Sequence, residues 1–260
     1  MSASPIRTGL TGVSSTTLRG LLLTALILLG WLISLVGLLR LDLGPLSGPV
    51  LVPLVLGSVL LRTLLQTGLF IVGHDAMHRV LWSERRGWND RLGTLALALY
   101  AALPYGRCRG NHRRHHRFTA SSQDPDFHGD VGAGVLGWYR RFMAGYLTVG
   151  QMARLLGAWA ALALVACWLT PLGWLNVLLF CTVPLLLSSL QLFLFGTYLP
   201  HRGQRAPQLQ HRPHSLDLPP WLSLLACYHF GYHREHHDRP DLAWFQLPRQ
   251  RRRSGPLAPA

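Results

Sequence analysis

Twenty consecutive residues between Arg19 and Arg40, GLLLTALILLGWLISLVGLL, carry no charge. At about 1.5 Å of rise per residue, a helix of that length spans roughly the 30 Å of hydrocarbon in a bilayer. Further apolar runs cover 50–73, 155–170 and 174–199, with Pro171 and Gly173 marking a tight turn between the last two. The pattern predicts an all-α integral membrane protein whose four transmembrane helices form two hairpins, at about 20–39, 50–73, 155–170 and 174–199. A shorter run at 92–105 falls below spanning length and reads as a re-entrant or interfacial piece. Residues 1–260 read as one domain with a flexible tail at 249–260. The segment MSASPIRTGLTGVSSTTLRG lacks a compact basic region, and no small-residue cleavage site follows the first run, so that run is read as a retained anchor.

Charge sets the expected orientation. All 25 basic residues are arginine; two precede the first run, twelve lie between Arg79 and Arg154, and nine follow His201. By the positive-inside rule, both chain ends and the central loop face the cytosol, which implies a bacterial inner membrane and a cytosolic helical cap. The net charge of +14 is then a topology signal and an attraction to anionic lipid, so no nucleic-acid partner is expected. Arg62 sits midway along the second run, where a charge costs about 2.5–3.5 kcal/mol, and is expected to face the bundle. The four cysteines form no CxxC pair, which argues against a disulfide framework.

Histidine placement carries the functional signal. There are 13 histidines, none of them before His74. His74 and His78 form HDAMH, His112, His115 and His116 form HRRHH, and His233, His236 and His237 form HREHH. In a helix, positions i, i+3 and i+4 share a face, so each cluster aims two or three imidazoles at one region. His74 ends the second apolar run as His201 ends the fourth, which places His201 at the same depth as a ninth candidate ligand. His229, four residues before His233, is a tenth. Eight or nine imidazole nitrogens exceed what one tetrahedral zinc can use, so two metal ions are implied. An isolated HxxxH is often just a solvated pair; three clusters on one membrane face are not.

Carboxylates near the clusters are candidates for orienting a ligating imidazole through its other nitrogen: Asp75, Glu235, Asp124 and Asp126. For Glu235 a solvated charge is an equal alternative, and Asp-Pro-Asp is also ordinary turn sequence. His128, His211 and His214 are assigned loop or supporting roles. Gly132, Gly134 and Gly137 match GxGxxG, but no apolar strand precedes them, so nucleotide binding is not expected. With no flavin, nicotinamide or iron–sulfur motif, electrons are expected from another protein, and the basic face suits an acidic one.

At these residues the chain resembles the membrane β-carotene ketolases of the fatty-acid desaturase and hydroxylase superfamily. The matching stretches are FIVGHDAMH at 70–78, NHRRHHRFTASSQDPDFH at 111–128, FGTYLPHR at 195–202 and CYHFGYHREHHDRP at 227–240. The resemblance implies two iron ions, dioxygen as co-substrate, electrons from a ferredoxin or ferredoxin-reductase system, and a carotenoid entering from lipid. It implies oxidation of the C4 methylene of a β-ionone ring to a ketone, taking β-carotene through echinenone to canthaxanthin and a 3-hydroxylated ring toward astaxanthin. By the family motif His74, His78, His112, His115, His116, His233, His236 and His237 carry over as iron ligands, with His201 beside them. The residue after HDAMH is commonly glycine in that family; here it is Arg79. The alternatives are a carotenoid 3-hydroxylase or a fatty-acid hydroxylase or desaturase with the same centre, and a non-catalytic metal-binding scaffold or transporter. A transporter would place its ligands near the bilayer midplane rather than at its edge.

Overall fold

A computed structural model describes residues 13–128, 134–202 and 213–254. His211, Gly132 and the tail from 255 onward lie outside them. Among the described residues the chain is all helical, without strands. Four helices are long and apolar enough to cross a membrane: α1 (Ser15–Leu39), α2 (Gly48–Met77), α6 (Val149–Leu169) and α7 (Gly173–His201). Between and after them lie α3 (Arg86–Ala101), α4 (Tyr105–Phe118), α5 (Val135–Tyr146), α8 (Pro220–Cys227), α9 (His233–Asp238) and α10 (Leu247–Arg253). The long helices exceed the expected spans because polar residues flanking the apolar runs continue the turns: α2 runs on through HDAM, and α6 begins six residues before the expected 155.

α1 shows how such a helix packs. Its buried face carries Thr17, Gly20, Thr24, Ile27, Trp31 and Leu35, while Leu22, Leu26, Leu29 and Ile33 point outward and are more than half exposed. Leucines face outward because lipid tails are as apolar as they are, and the small Thr17, Gly20 and Thr24 in the first half of the buried face allow close backbone approach. Polar side chains link the bundle: the Trp31 indole N–H donates to Gln66 Oε1 at 2.7 Å, and Gln66 donates in turn to the Tyr100 carbonyl.

Arg62 is 1% exposed, and its partners are two backbone carbonyls and a hydroxyl. Its guanidinium donates to the Phe180 carbonyl at 2.9 Å, to the Trp31 carbonyl at 2.7 Å and to Ser34 Oγ at 3.2 Å. Phe180 has a carbonyl to offer because Pro184, four residues on, has no N–H to donate to it. π-helical turns occupy Leu178–Thr182 and Leu194–Tyr198, just before Pro184 and Pro200, so the run expected as one regular helix is twice widened.

The expected re-entrant piece is α3, which starts at Arg86, stops at Ala101 and packs along α2. Its close approach is made by glycine: a Cβ on Gly73 would stand 2.6 Å from Leu97, and one on Gly93 2.6 Å from the Ala76 Cβ. Ala102, left-handed at φ 54°, ends α3, and α4 begins at Tyr105. This reversal carries the histidines of α4 back to the end of α2. α2 itself closes at Arg79, held at φ 62°.

Candidate metal centre

Four helices deliver the imidazoles. His74 lies in the last turn of α2 with His78 capping it, His112, His115 and His116 line α4, His201 ends α7, and His233, His236 and His237 fill the single turn and a half of α9. They form two groups, each with its nitrogen donors within 4.8 Å of one another: His74, His78, His112 and His236, and then His115, His201, His233 and His237. The boxes do not map one to one onto the groups. Residues 112 and 115 are three apart on α4 and serve different groups; 233 and 237 share one face of α9, while 236 turns to the other group.

His116 stands at the seam. Its Nε2 is 3.1 Å from His112 Nε2 and 3.0 Å from His236 Nε2, and its ring stacks on His237 at 4.2 Å. Elsewhere His78 and His112 bring their Nε2 atoms to 2.6 Å, His115 and His237 to 3.0 Å, and His237 and His233 to 3.1 Å. His201 packs its ring 4.9 Å from His233 and 5.1 Å from His115. His229, by contrast, belongs to neither group; its ring stacks with Tyr232 at 5.7 Å and Trp244 at 6.0 Å. His128 stands beside Trp138, and His214 is exposed. Gly134 precedes α5 and Gly137 lies inside it, so no strand–turn–helix cradle is present among the described residues.

These spacings fit metal ions. Imidazole nitrogens about 2.0–2.1 Å from a shared ion are about 2.9 Å apart at right angles and about 3.4 Å apart at tetrahedral angles. The shortest Nε2 separations inside the groups, 2.6–3.1 Å, and the 4.8 Å that encloses each group are compatible with imidazoles gathered round an ion. His74 Nε2 is buried without a hydrogen-bond partner, which is costly unless the lone pair has an acceptor of its own.

Electrostatics keep most of the donors neutral, as metal binding requires. Burial, reinforced by neighbouring imidazoles, holds His112, His233, His236 and His237 well below the usual histidine range. Burial, with Arg113 nearby, lowers His78 to about 4, and burial with His78 and His115 lowers His116 to about 2. His115 is the exception. Burial opposes its charge, but the hydrogen bond and charge of Asp124 outweigh that and raise it.

Asp124 fixes how His115 is presented. Its two oxygens lie 2.9 and 3.0 Å from His115 Nδ1, and they also accept the backbone N–H groups of Asp126 and Ala120, each at 2.9 Å. With Nδ1–H donating to Asp124, the His115 Nε2 lone pair faces the cluster. The other carboxylates act differently. Asp75 is 3.5 Å from His74 Nδ1 and accepts the Trp244 N–H at 3.1 Å, tying α2 to the segment after α9. Asp126 accepts from the Tyr146 hydroxyl at 3.0 Å. Glu235 is buried, taking the Ser215 hydroxyl and lying 3.5 Å from Arg251 Nη1, so it braces α9 instead of being solvated. Tyr146, Trp244 and Phe230, whose ring is 4.7 Å from His74, were not visible as site residues in the sequence, since no short-range pattern joins them to the boxes.

The fatty acid desaturase family matches residues 48–260. A β-carotene ketolase of Paracoccus sp. (strain PC1) is 38% identical over 249 residues, covering 94% of this chain and 97% of that protein. A β-carotene ketolase of Haematococcus lacustris is 39% identical over 74% of this chain, which spans 60% of its length. A zeaxanthin 4-ketolase of Chlamydomonas reinhardtii is 40% identical over 75% of the chain and 44% of its own length. On the extent of these matches, the chain belongs to the fatty acid desaturase family and groups within it with the β-carotene ketolases.

Proposed function

We propose that the protein is a carotenoid 4-ketolase, an oxidoreductase of the membrane that converts the C4 methylene of a β-ionone ring to a ketone. The observation that carries this reading is the pair of four-imidazole groups in a chain whose relatives are named ketolases. His74, His78, His112 and His236 would hold one iron, and His115, His201, His233 and His237 a second, with His116 between them. Iron so held would supply activation of dioxygen. Each of two hydroxylations inserts one oxygen atom at C4 and, with two electrons and two protons, reduces the other to water; the geminal diol then loses water to give the ketone. Asp124 holds the His115 tautomer through these steps, and Phe70, Phe142 and Phe230 keep the surroundings apolar.

The electrons come, on this reading, from a ferredoxin or ferredoxin-reductase system docking on the arginine-rich face. Residues 1–260 act as one unit with two helical hairpins, chain ends and histidine groups cytosolic, in a bacterial inner membrane. Three contacts support the pairing of helix ends that this arrangement requires, though each holds for either orientation in the membrane. The Ser14 N–H donates to Glu84 at 3.0 Å, bringing the start of α1 to the histidine end of α2. Thr17 donates to the same carboxylate at 2.8 Å. Asn176 donates to the Leu41 carbonyl at 2.8 Å, pairing the far end of α1 with the start of α7.

Expression in cells that accumulate β-carotene tests the reading. Echinenone and canthaxanthin are expected. A 3-hydroxylated product, or altered fatty acids with untouched carotenoid, would reassign the substrate within the same chemistry. Tightly held zinc with no dioxygen-dependent turnover would leave a metal-stabilised scaffold.

A further inference from the structure

Three cavities run in series through the molecule. The first, about 370 Å³, lies beside Arg62 and Gln66 and is otherwise largely apolar. It shares Tyr100, Ala101, Leu155, Trp159 and Leu185 with the second, an apolar cleft of about 310 Å³ between α3, α5, α6 and α7. That cleft shares Phe70, Phe142, Tyr146 and Leu192 with the third, a narrow space of about 30 Å³ bounded by His74, His112, His115 and His233. The path is long, apolar and thin, and it ends on imidazoles of both groups. The middle cleft alone reaches the lower end of the roughly 300–1,000 Å³ typical of small-molecule sites.

At the narrowing, Tyr146 is the one polar side chain among the four shared residues. Its hydroxyl donates to Asp126 Oδ1 at 3.0 Å, and Asp126 through its backbone N–H is joined to Asp124, the partner of His115. A phenol oxygen that donates once retains acceptor capacity.

We propose that this series of cavities binds the carotenoid, ring foremost, and that Tyr146, held on Asp126, distinguishes ring end groups by accepting a hydrogen bond from a ring hydroxyl. The inference rests on the ketolase reading and deepens it. The middle cleft has the volume to hold the cyclic head, and the narrow space beyond it admits no more than the ring's edge toward the imidazoles. The chemistry explains how one site takes both ring types: Tyr146 and Asp126 satisfy each other when the ring is bare, so neither is orphaned. Discrimination is therefore that of one neutral hydrogen bond, about tenfold, rather than the 10⁴ or more seen where a missing hydroxyl strands a buried partner.

The test uses the iron-loaded full-length chain, supplied with β-carotene and zeaxanthin together. Tyr146→Phe is expected to shift the ratio of kcat/KM values about tenfold toward the bare ring. If both rates fall while the ratio stays within twofold, Tyr146 is structural and the specificity assignment is overturned. Met152→Trp, and independently Leu186→Trp, project bulk into the middle cleft from its two walls. Each is expected to lower turnover of both substrates and the carotenoid that co-purifies per mole of protein, with iron content unchanged. Folded, iron-loaded variants that keep full turnover and full carotenoid content overturn the cleft as the binding site. Wild-type protein that makes no ketone from either substrate instead removes the ketolase reading, and this inference with it.

Discussion

Replacing Asp124 with asparagine separates charge from shape at the metal centre. Three donors converge on this carboxylate: His115 Nδ1–H lies within 3.0 Å of both oxygens, the Asp126 N–H within 2.9 Å of Oδ1, and the Ala120 N–H within 2.9 Å of Oδ2. An amide keeps one oxygen and turns the other into a donor. Whichever way it flips, one backbone N–H faces an NH₂ group and is left buried without an acceptor, at a cost of about 1–3 kcal/mol. His115 also loses the anion that fixes its tautomer, and partners of this kind are typically worth about 10–100-fold in metal affinity or activity. Asp124→Asn should therefore insert and fold with near-normal helix content, yet release iron to a competing chelator at about one tenth to one hundredth of the wild-type chelator concentration. Measuring iron per protein across a chelator series, with circular dichroism alongside, reads both effects. Wild-type iron retention in the folded variant would refute the claim that Asp124 governs how His115 meets the metal.

Three other outcomes are expected. His236→Ala removes a donor outright, so its turnover should fall by more than the roughly 100-fold upper range for a ligand's partner with membrane insertion unchanged; near-normal product formation would take His236 off the ligand set. Arg79→Gly should stabilise the protein by about 0.5–1 kcal/mol, because a left-handed non-glycine residue costs about 1–2 kcal/mol and glycine gives back part of that as unfolded-state entropy; an unchanged or lower unfolding midpoint would refute it. For metal-free protein, His78 and His116 have folded values of about 4 and 2, below the usual 6.5. The unfolded chain therefore takes up protons first, and stability is present above about pH 6.5 and falls below it, each group adding a slope of about 1.4 kcal/mol per pH unit. The raised His115 opposes this as a single group against two, so a net fall in unfolding midpoint between pH 7.5 and 5 is expected; a flat profile would contradict it.

The family's glycine after HDAMH acquires its reason at Arg79: φ 62° at the end of α2 is a conformation glycine takes without steric cost. Arg62 had no nameable partner in the sequence because its acceptors are two carbonyls and a serine hydroxyl on other helices, one of the carbonyls released by Pro184, 122 residues further on.

Local pattern by itself determined the membrane-length helices, the identity of the histidines and their helical spacing, because each depends on residues within one or two turns of each other. The bounds of α3 (Arg86–Ala101) and α10 (Leu247–Arg253) depend on contacts rather than composition, and local pattern does not reach them. Only the tertiary structure decided which imidazoles share a group, that Asp124 hydrogen-bonds His115, and that Tyr146 meets Asp126. The grouping follows from how α3 reverses the chain into α4 and where α9 docks, and the two carboxylate contacts from how the chain turns between α4 and α5. A helical period states which side chains lie on a common face; what that face meets is settled by packing between segments more than a hundred residues apart.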